Sequence, residues 1–435
     1  MPSDRRSFLA AAGTTLAALS GCVTFDPPAT TGTWPRSAID NAHTGRSKIE
    51  GPTTSLYEVW HRDRPDGGAL QASPVVGNGR VYTVYSREST TNESDAGGAW
   101  LEAFDAGSGE SRWKTELFRS DEFYYFYASD SLVLDSDTVY VQTKPGLKAV
   151  GTDGTVRWTF DNLYESQQTP DVVSPVVTDD VVIAGTYSTS YDERGEVETV
   201  YGIDPNDGSE RWRTEFPELD GMWQLSAADG VVYVPFRYPN GWLVALDVRT
   251  GEELWRRRIP VNGTPTIADG RLFSGLNDGR SDRDYLGAFD PTNGTELWRK
   301  RIGPRWADSG FAVADGLVYH IGEFNLVARR VETGERVWTF GGSEKRRIDL
   351  RTTPVVAGDS VYVNGYEQRK TMYGRTFVLN TKTGETRGQF ALGRNRYSRS
   401  SPAVADELVF VNSNAGRLFA VGECDTEIAG HCVVG

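Results

Sequence analysis

The 435-residue chain is poor in several residue types that mark common chemistries. It has three cysteines, four histidines, three methionines and 8 lysines, against 38 arginines. Three cysteines are too few for a small disulfide-stapled framework. The histidines (His43, His61, His320 and His431) are scattered, without metal-ligand spacing. There is no Gly-x-Ser-x-Gly, no phosphate-binding Gly-x-x-x-x-Gly-Lys loop and no haem-attachment Cys-x-x-Cys-His. No apolar run is long enough to span a bilayer. Basic residues number 46 and acidic residues 60, a net charge of −14. Such a chain has no overall field to attract nucleic acid, although a local basic patch is not excluded. What is abundant is aromatic side chains, at 11%, with 47 glycines and 20 prolines. About one residue in seven therefore punctuates the backbone, which favours many short strands with tight turns over a helical bundle.

Residues 1–21 read as a targeting segment and leave the fold argument. Arg5-Arg6-Ser7-Phe8-Leu9 resembles a twin-arginine export signal, and Phe8 to Gly21 is small and apolar. Fourteen helical residues reach roughly 21 Å, short of the ~30 Å hydrocarbon core. The run ends in Leu19-Ser20-Gly21-Cys22, which resembles a lipobox with Cys22 as the lipidated residue. Twin-arginine export implies folding before translocation, which suits a slow, long-range β fold. Residues 22–55 are rich in Thr, Pro, Gly and Ser and read as a tether and leader.

The rest is an internal repeat. Its first half is Ser/Thr-Pro-Val-Val, an Asp/Asn-Gly turn, then Val-Tyr-Val. Eight copies begin at Ser73, Ser131, Ser174, Leu225, Thr264, Gly310, Thr353 and Ser401. Its second half is an apolar alternation, Asp-x-x-Thr-Gly-Glu, and a Trp three residues on. The recurring position falls at Trp60, Trp113, Trp158, Trp212, Trp255, Trp298, Trp338 and Arg387, the last breaking the rule. Each unit predicts a four-stranded antiparallel meander, strands a to d, with glycine at the left-handed turn positions. A lone meander cannot bury both faces; stacking around an axis can. The unit from Ser401 to Val421 lacks strand d, whereas Leu56–Trp60 is a strand d with nothing else. Pairing the two closes the ring, because an open arrangement leaves an unpaired edge. The expected fold is all-β: an eight-bladed propeller over 56–423, followed by a tail at 424–435.

These units resemble the PQQ-like (pyrroloquinoline quinone) repeat family, whose docking motif is Ala-x-Asp-x-x-Thr-Gly-x-x-x-Trp. Trp34-Pro35 and Asp40 to Gly45 resemble the leader that precedes many of its propellers. Lipobox, tether and ring together resemble BamB-like lipoproteins. That resemblance implies an exported binding or scaffolding module, held by lipidated Cys22 on the outer face of the cytoplasmic membrane. It would be a monomer with a protein or glycan partner and no nucleic acid. The acidic, lysine-poor composition resembles that of salt-loving archaea, although genomic base bias would give the same.

Strand order puts the a–b and c–d turns on one face and the b–c and d–a connections on the other. Nearly all insertions fall on the second, so it is the candidate functional face. Phe123, Tyr124, Tyr125 and Tyr127 lie in one d–a insertion; Trp223, Trp306 and Tyr397 stand just before strand a of their blades, and Arg394 and Arg396 flank Tyr397. Stacking and cationic groups at a channel mouth suit a flat ligand, a sugar, an anion or a peptide, or they cap the channel as local core.

The family resemblance raises a second reading, a PQQ-dependent dehydrogenase with Ca²⁺. No adjacent cysteine pair is present, and no cofactor ligand transfers residue by residue, so no catalytic or metal residue is assigned. Asp278, Asp282 and Asp284 do not match an EF-hand pattern. Cys424 and Cys432 suit a disulfide that pins the tail, with two free thiols as the rival. Asn92, Asn262 and Asn293 head glycosylation sequons.

Overall fold

The computed structural model describes residues 32–434 apart from 65–68, 71, 88–96, 121–130, 144–145, 162, 164–172, 187–196, 239–240, 278–283, 304–309, 343–346, 369–370, 425 and 429–430. Arg5, Arg6, Cys22, Asn92, Asp278 and Asp282 lie outside the described residues.

Among the described residues every element is a strand, and the strands form eight blades. Blade 1 runs a Val75–Gly77, b Arg80–Arg87, c Gly97–Asp105, d Ser111–Ser120. In blade 8, strands a (Ala403–Ala405), b (Leu408–Asn412) and c (Arg417–Glu423) come from the end of the chain. Its fourth strand, Leu56–Asp63, comes from the beginning and pairs antiparallel with strand c, placing Trp60 opposite Ala420 and His61 opposite Phe419. The a–b and c–d turns share one face, as a backbone bond ties them within a blade: Ala106 N to Gly79 O, Val248 N to Gly230 O, Val331 N to Gly316 O.

The repeated Trp joins blade to blade. Trp113 Nε1 donates to Thr152 O at 2.8 Å, Trp158 to Pro205 O at 2.9 Å, and Trp298 to Val331 O at 2.9 Å. Each ring lies on the turn glycine of the next blade. Gly109, Gly154 and Gly208 all have positive φ, and a Cβ there would come within 3 Å of Trp60, Trp113 and Trp158. Glycine is needed twice over, for the left-handed backbone and for the ring above it.

Ring closure also accounts for Arg387. Its neighbour is blade 8, whose strands c and d come from opposite ends of the chain and share no turn. No Thr-Gly turn exists there for a Trp to cover. Instead Thr53 O sits where a Cβ on Gly388 would be, and Tyr362 Oη donates to Pro52 O at 3.0 Å. Arg387 turns to Asp359 through both guanidinium nitrogens. Restoring the repeat with Arg387→Trp is therefore expected to lower stability, by about 1 kcal/mol for a lost, partly exposed ion pair. A thermal melt with a raised midpoint would contradict this.

The leader is bound to the ring along its length. Gly32 N donates to the Asp406 carboxylate of blade 8. Trp34 exchanges both backbone bonds with Val76 of blade 1, and Pro35 O accepts from Leu134 of blade 2. The Asn41 side chain reaches Val177 of blade 3, and Asn41 O accepts from Ala227 of blade 4. Ala42, Thr44 and Gly45 carbonyls accept from Ile267, Val313 and Val356 of blades 5, 6 and 7. Gly51 then lies against Val404, back at blade 8. Residues 32–51 thus make one full circle over the innermost strands, at the turn face. Trp34, Arg36, Ala38 and His43 are buried in it. This hoop gives strand a of each blade, otherwise an inner edge, a main-chain or packing partner.

Three d–a connections each hold an added strand. Ala69–Leu70, Asp220–Met222 and Arg347–Leu350 pair with the outer half of strand b in blades 1, 4 and 7. Gly365–Gly374, the b–c insertion of blade 7, is mostly ladder: Ser360–Gln368 and Met372–Asn380 stay paired up to Gln368 and Met372. The antiparallel register continues past the glycines, and a hairpin projects from the loop face. At the C-terminus, Thr426–Ile428 and His431–Val434 form a two-stranded hairpin, and Cys424 is disulfide-bonded.

Candidate functional site

Among the described residues, blade 7 builds a dense polar and aromatic cluster on the loop face. Asp349 sits on the extra strand Arg347–Leu350, directly opposite Tyr366 of strand b. The pairing brings Tyr366 Oη to donate to Asp349 Oδ2 at 2.5 Å. Arg351 forks onto Asp349, 3.0 Å to each oxygen, and donates to Tyr366 Oη at 3.1 Å. Its guanidinium also lies 5.5 Å from the Tyr366 ring centroid and 5.8 Å from that of Phe324 in blade 6. Phe324 reaches this place from a tight b–c turn in which Glu323 and Phe324 both have positive φ.

Tyr397 completes the cluster from the blade 7–8 connection. Its ring centroid is 5.8 Å from that of Tyr366, and its backbone is clamped by Asn414 of blade 8, at 3.0 and 2.8 Å. Arg399 stacks its guanidinium 5.7 Å from the Tyr397 centroid and donates to Tyr397 Oη at 3.2 Å. Arg394 ends strand d opposite Tyr373 and is exposed; Arg396 is half-buried, its carbonyl crossing Gly374 so closely that no Cβ fits.

The electrostatics follow from this wiring. The hydrogen bonds to Asp349 hold the Arg351 guanidinium charged. Burial, then the Asp349 carboxylate that accepts its proton, raises the Tyr366 phenol. Tyr366 is thus a fixed neutral donor, Arg351 a fixed cation, and half-buried Tyr397 with exposed Arg399 a stacking pair.

Of the residues chosen from sequence, the fold gathers Arg394, Arg396 and Tyr397 here. Trp223 stands apart in blade 4, half-buried, its amide donating to Pro235 O at 2.9 Å. Phe123, Tyr124, Tyr125, Tyr127 and Trp306 lie outside the described residues. Asp349, Tyr366, Phe324 and Asn414 were not singled out from sequence. Their one signal was position: each lies at a strand end or an insertion on the rim already chosen. Two clefts on the opposite face, of about 390 and 310 Å³, are lined by the hoop and by a–b turns, and hold none of the chosen residues.

A quinone with Ca²⁺ needs converging oxygen ligands. Buried carboxylates do occur toward the loop-face ends of strands, on blades 3, 5 and 7, and are already engaged. Glu198 of blade 3 accepts from Gly221 N, Met222 N and Thr186. Asp284 of blade 5 accepts from Asn277, and Glu367 of blade 7 pairs with Arg375 at 3.4 Å. Among the described residues no three His, Cys, Asp or Glu side chains come together as a metal site. The described residues do not fit that cofactor.

Comparison with known proteins agrees with the ring. A curated relative, outer membrane protein assembly factor BamB of Burkholderia pseudomallei, is 24% identical over 353 residues, spanning 76% of this chain and 81% of that protein. The Alteromonas naphthalenivorans protein of the same name is 28% identical over 195 residues, 39% of this chain and 46% of that one. The crystal structure of BamB from Moraxella catarrhalis superposes with a TM-score of 0.57 at 19% identity, covering 84% of this chain and 99% of its own. A quinohemoprotein alcohol dehydrogenase from Comamonas testosteroni gives 0.67 at 14% identity, covering 93% and 83%, a likeness of fold alone. The sequence profile of the family described as outer membrane protein assembly factor BamB matches residues 57–215 and 196–427, and with nearly the whole ring matched, the chain belongs to that family.

Proposed function

We propose that this chain is an exported, lipid-anchored propeller that holds another protein at a membrane surface through its loop face. The observation that carries the reading is the blade 7–8 cluster. Half-buried Tyr397 and exposed Arg399 form a stacking pair on a rigid base, and no blade contact of the repeat calls for them. Aromatic and arginine side chains on a rigid base are the residue types that anchor protein partners. The relatives' name speaks of outer-membrane assembly; the role carried to this chain is the coarser one, a protein-binding scaffold at a membrane. Cys22 is the proposed lipidation site, Arg5-Arg6 the export signal, the outer face of the cytoplasmic membrane the location, and a single ring the working form. Cys432 is the proposed partner of Cys424. A glycan ligand is the rival occupant of the loop face.

Two variants test the reading. Cys22→Ser is expected to move the protein from the membrane to the soluble fraction; retention would refute the anchor. Tyr397→Ala with Arg399→Ala is expected to lower yield at least ten-fold in a crosslinking capture of membrane-surface proteins, with the melting temperature unchanged. Unaltered capture of the same proteins would refute the docking site, and retention on a glycan array lost in the same variant would transfer it to the glycan reading.

A further inference from the structure

The hoop does more than cover strand edges. It fixes where the N-terminal part of the chain leaves the ring. Gly32 is held at the a–b turn of blade 8 by Asp406, and the following residues are bound to blade after blade. The hoop stays on the turn face throughout. Arg46 pairs with Asp315 in the a–b turn of blade 6 at 2.7 Å, and Gly358 N of the blade 7 turn donates to Ser47 O. Without applied load this bonded segment yields no slack, so the reach from Cys22 to the ring is bounded by the residues before Gly32.

Between Cys22 and Gly32 there are ten peptide steps. A fully extended chain covers at most ~36 Å in that number. From this arithmetic, and resting on the reading of Cys22 as the anchored residue, we propose that the ring stands with its turn face toward the bilayer. The loop face, with Tyr397 and Arg399, then points away from the membrane into the aqueous space. The surface opposite the turn face is the lipid headgroup layer, and the partner of the loop face is a water-soluble protein or domain that approaches from the far side.

The chemistry of the turn face fits a stand-off rather than insertion. It is lined with turn carboxylates that the fold keeps ionised. The guanidinium of Arg157 pulls Asp137 down to about 2, and Arg387 lowers Asp359. Backbone and side-chain donors within the turns lower Asp247 and Asp290. Ionised carboxylates and their ion pairs do not enter a hydrocarbon layer, and those without an arginine partner, Asp290 among them, are repelled by anionic headgroups over about a Debye length. A short tether and an acidic face together hold the ring close to the surface without burying it.

Strand c of blade 7 supplies the ruler for a test. Met372 lies at its loop-face end, and Lys382 lies just beyond its turn-face end, in the c–d turn. Both are exposed. Eight strand steps separate the two ends by ~27 Å. Lipidated full-length protein is placed on vesicles carrying a headgroup-linked quencher, with one fluorophore at Met372→Cys or at Lys382→Cys. The expected result is quenching several-fold stronger at position 382 than at position 372. Equal or inverted quenching overturns the orientation while leaving the anchor intact. A flexible Gly-Ser spacer of about thirty residues inserted after Cys22 is expected to erase the difference, because its random-coil reach of about 30 Å is comparable to the strand length. A difference that survives the spacer shows that something other than the tether orients the ring, and overturns the proposal. Quenching that survives Cys22→Ser refutes the anchor, and the orientation with it.

Discussion

Trp338→Ala is expected to destabilise the ring by about 3–5 kcal/mol, the range for removing a large buried aromatic. Trp338 is only 9% exposed, donates its indole N–H to Thr381 O at 2.8 Å, and packs on Tyr319 with ring centroids 5.7 Å apart. Domains are stable by about 5–15 kcal/mol, so one such contact is a large share of the whole. Its partner gives the sharper test. Gly384 has φ +71°, and a Cβ there would lie 2.6 Å from the Trp338 ring. Gly384→Ala therefore carries two costs: about 1–2 kcal/mol for a left-handed residue with a side chain, and about 1–3 kcal/mol for overpacking. In the Trp338→Ala background the second cost disappears. The two changes should be sub-additive by more than about 0.5 kcal/mol in denaturant melts. Strict additivity would mean that the ring does not rest on the glycine.

Acid is expected to weaken the fold well above the range where carboxylates titrate. His43 and His320 are buried, each beside a guanidinium. Arg36 Nη2 lies 3.0 Å from His43 Nε2, and Arg329 Nε donates to His320 Nε2 at 3.0 Å while Nδ1 donates to Ile321 O at 3.2 Å. A ring nitrogen that accepts from arginine carries no proton, so His320 is neutral. Burial, then the arginine charge, lowers His320 to about 3 and His43 well below the ordinary 6.5. In the unfolded chain both titrate near 6.5. Between the folded and unfolded values the unfolded state binds more protons, so stability rises with pH there. It is fully present above about 6.5 and declines as pH falls toward about 3. At pH 5 His320 should have lost about 2 kcal/mol relative to pH 7, and His43 adds a loss of the same sign. His320→Gln should remove the His320 part of that pH dependence while lowering stability at pH 7. A denaturation midpoint that does not change between pH 7 and pH 5 would contradict this account.

The blades could be read from the sequence because their signals are local and repeated. Asp-Gly, Asp-x-x-Thr-Gly and the Trp each fix a turn or a contact within a few residues, and eight copies average out the exceptions. The closing strand was legible for the same reason: Leu56–Trp60 carries the signature of a strand d without its blade. Arg387 was visible as a deviation but not explicable, since the cause is a missing turn on another blade. The hoop was not legible. Its bonds are main chain to main chain, such as Trp34 to Val76 and Gly45 to Val356, and no side-chain periodicity records them. Its Pro, Gly and Thr content reads equally well as a spacer. At the candidate site, Arg394 and Tyr397 were legible because they precede a strand a. Asp349 and Tyr366 were not, because an insertion with no counterpart in the repeat pairs them.

The hoop also decides how the molecule bears mechanical load. Tension at Gly32 acts first on bonds to blades 8 and 1, then 2, 3 and onward in order, each short attachment peeling alone. Residues 32–55 release ~80 Å of slack at full extension before any pull reaches Leu56–Asp63. The strand that seals the ring is thereby placed last in line, behind a sacrificial cord.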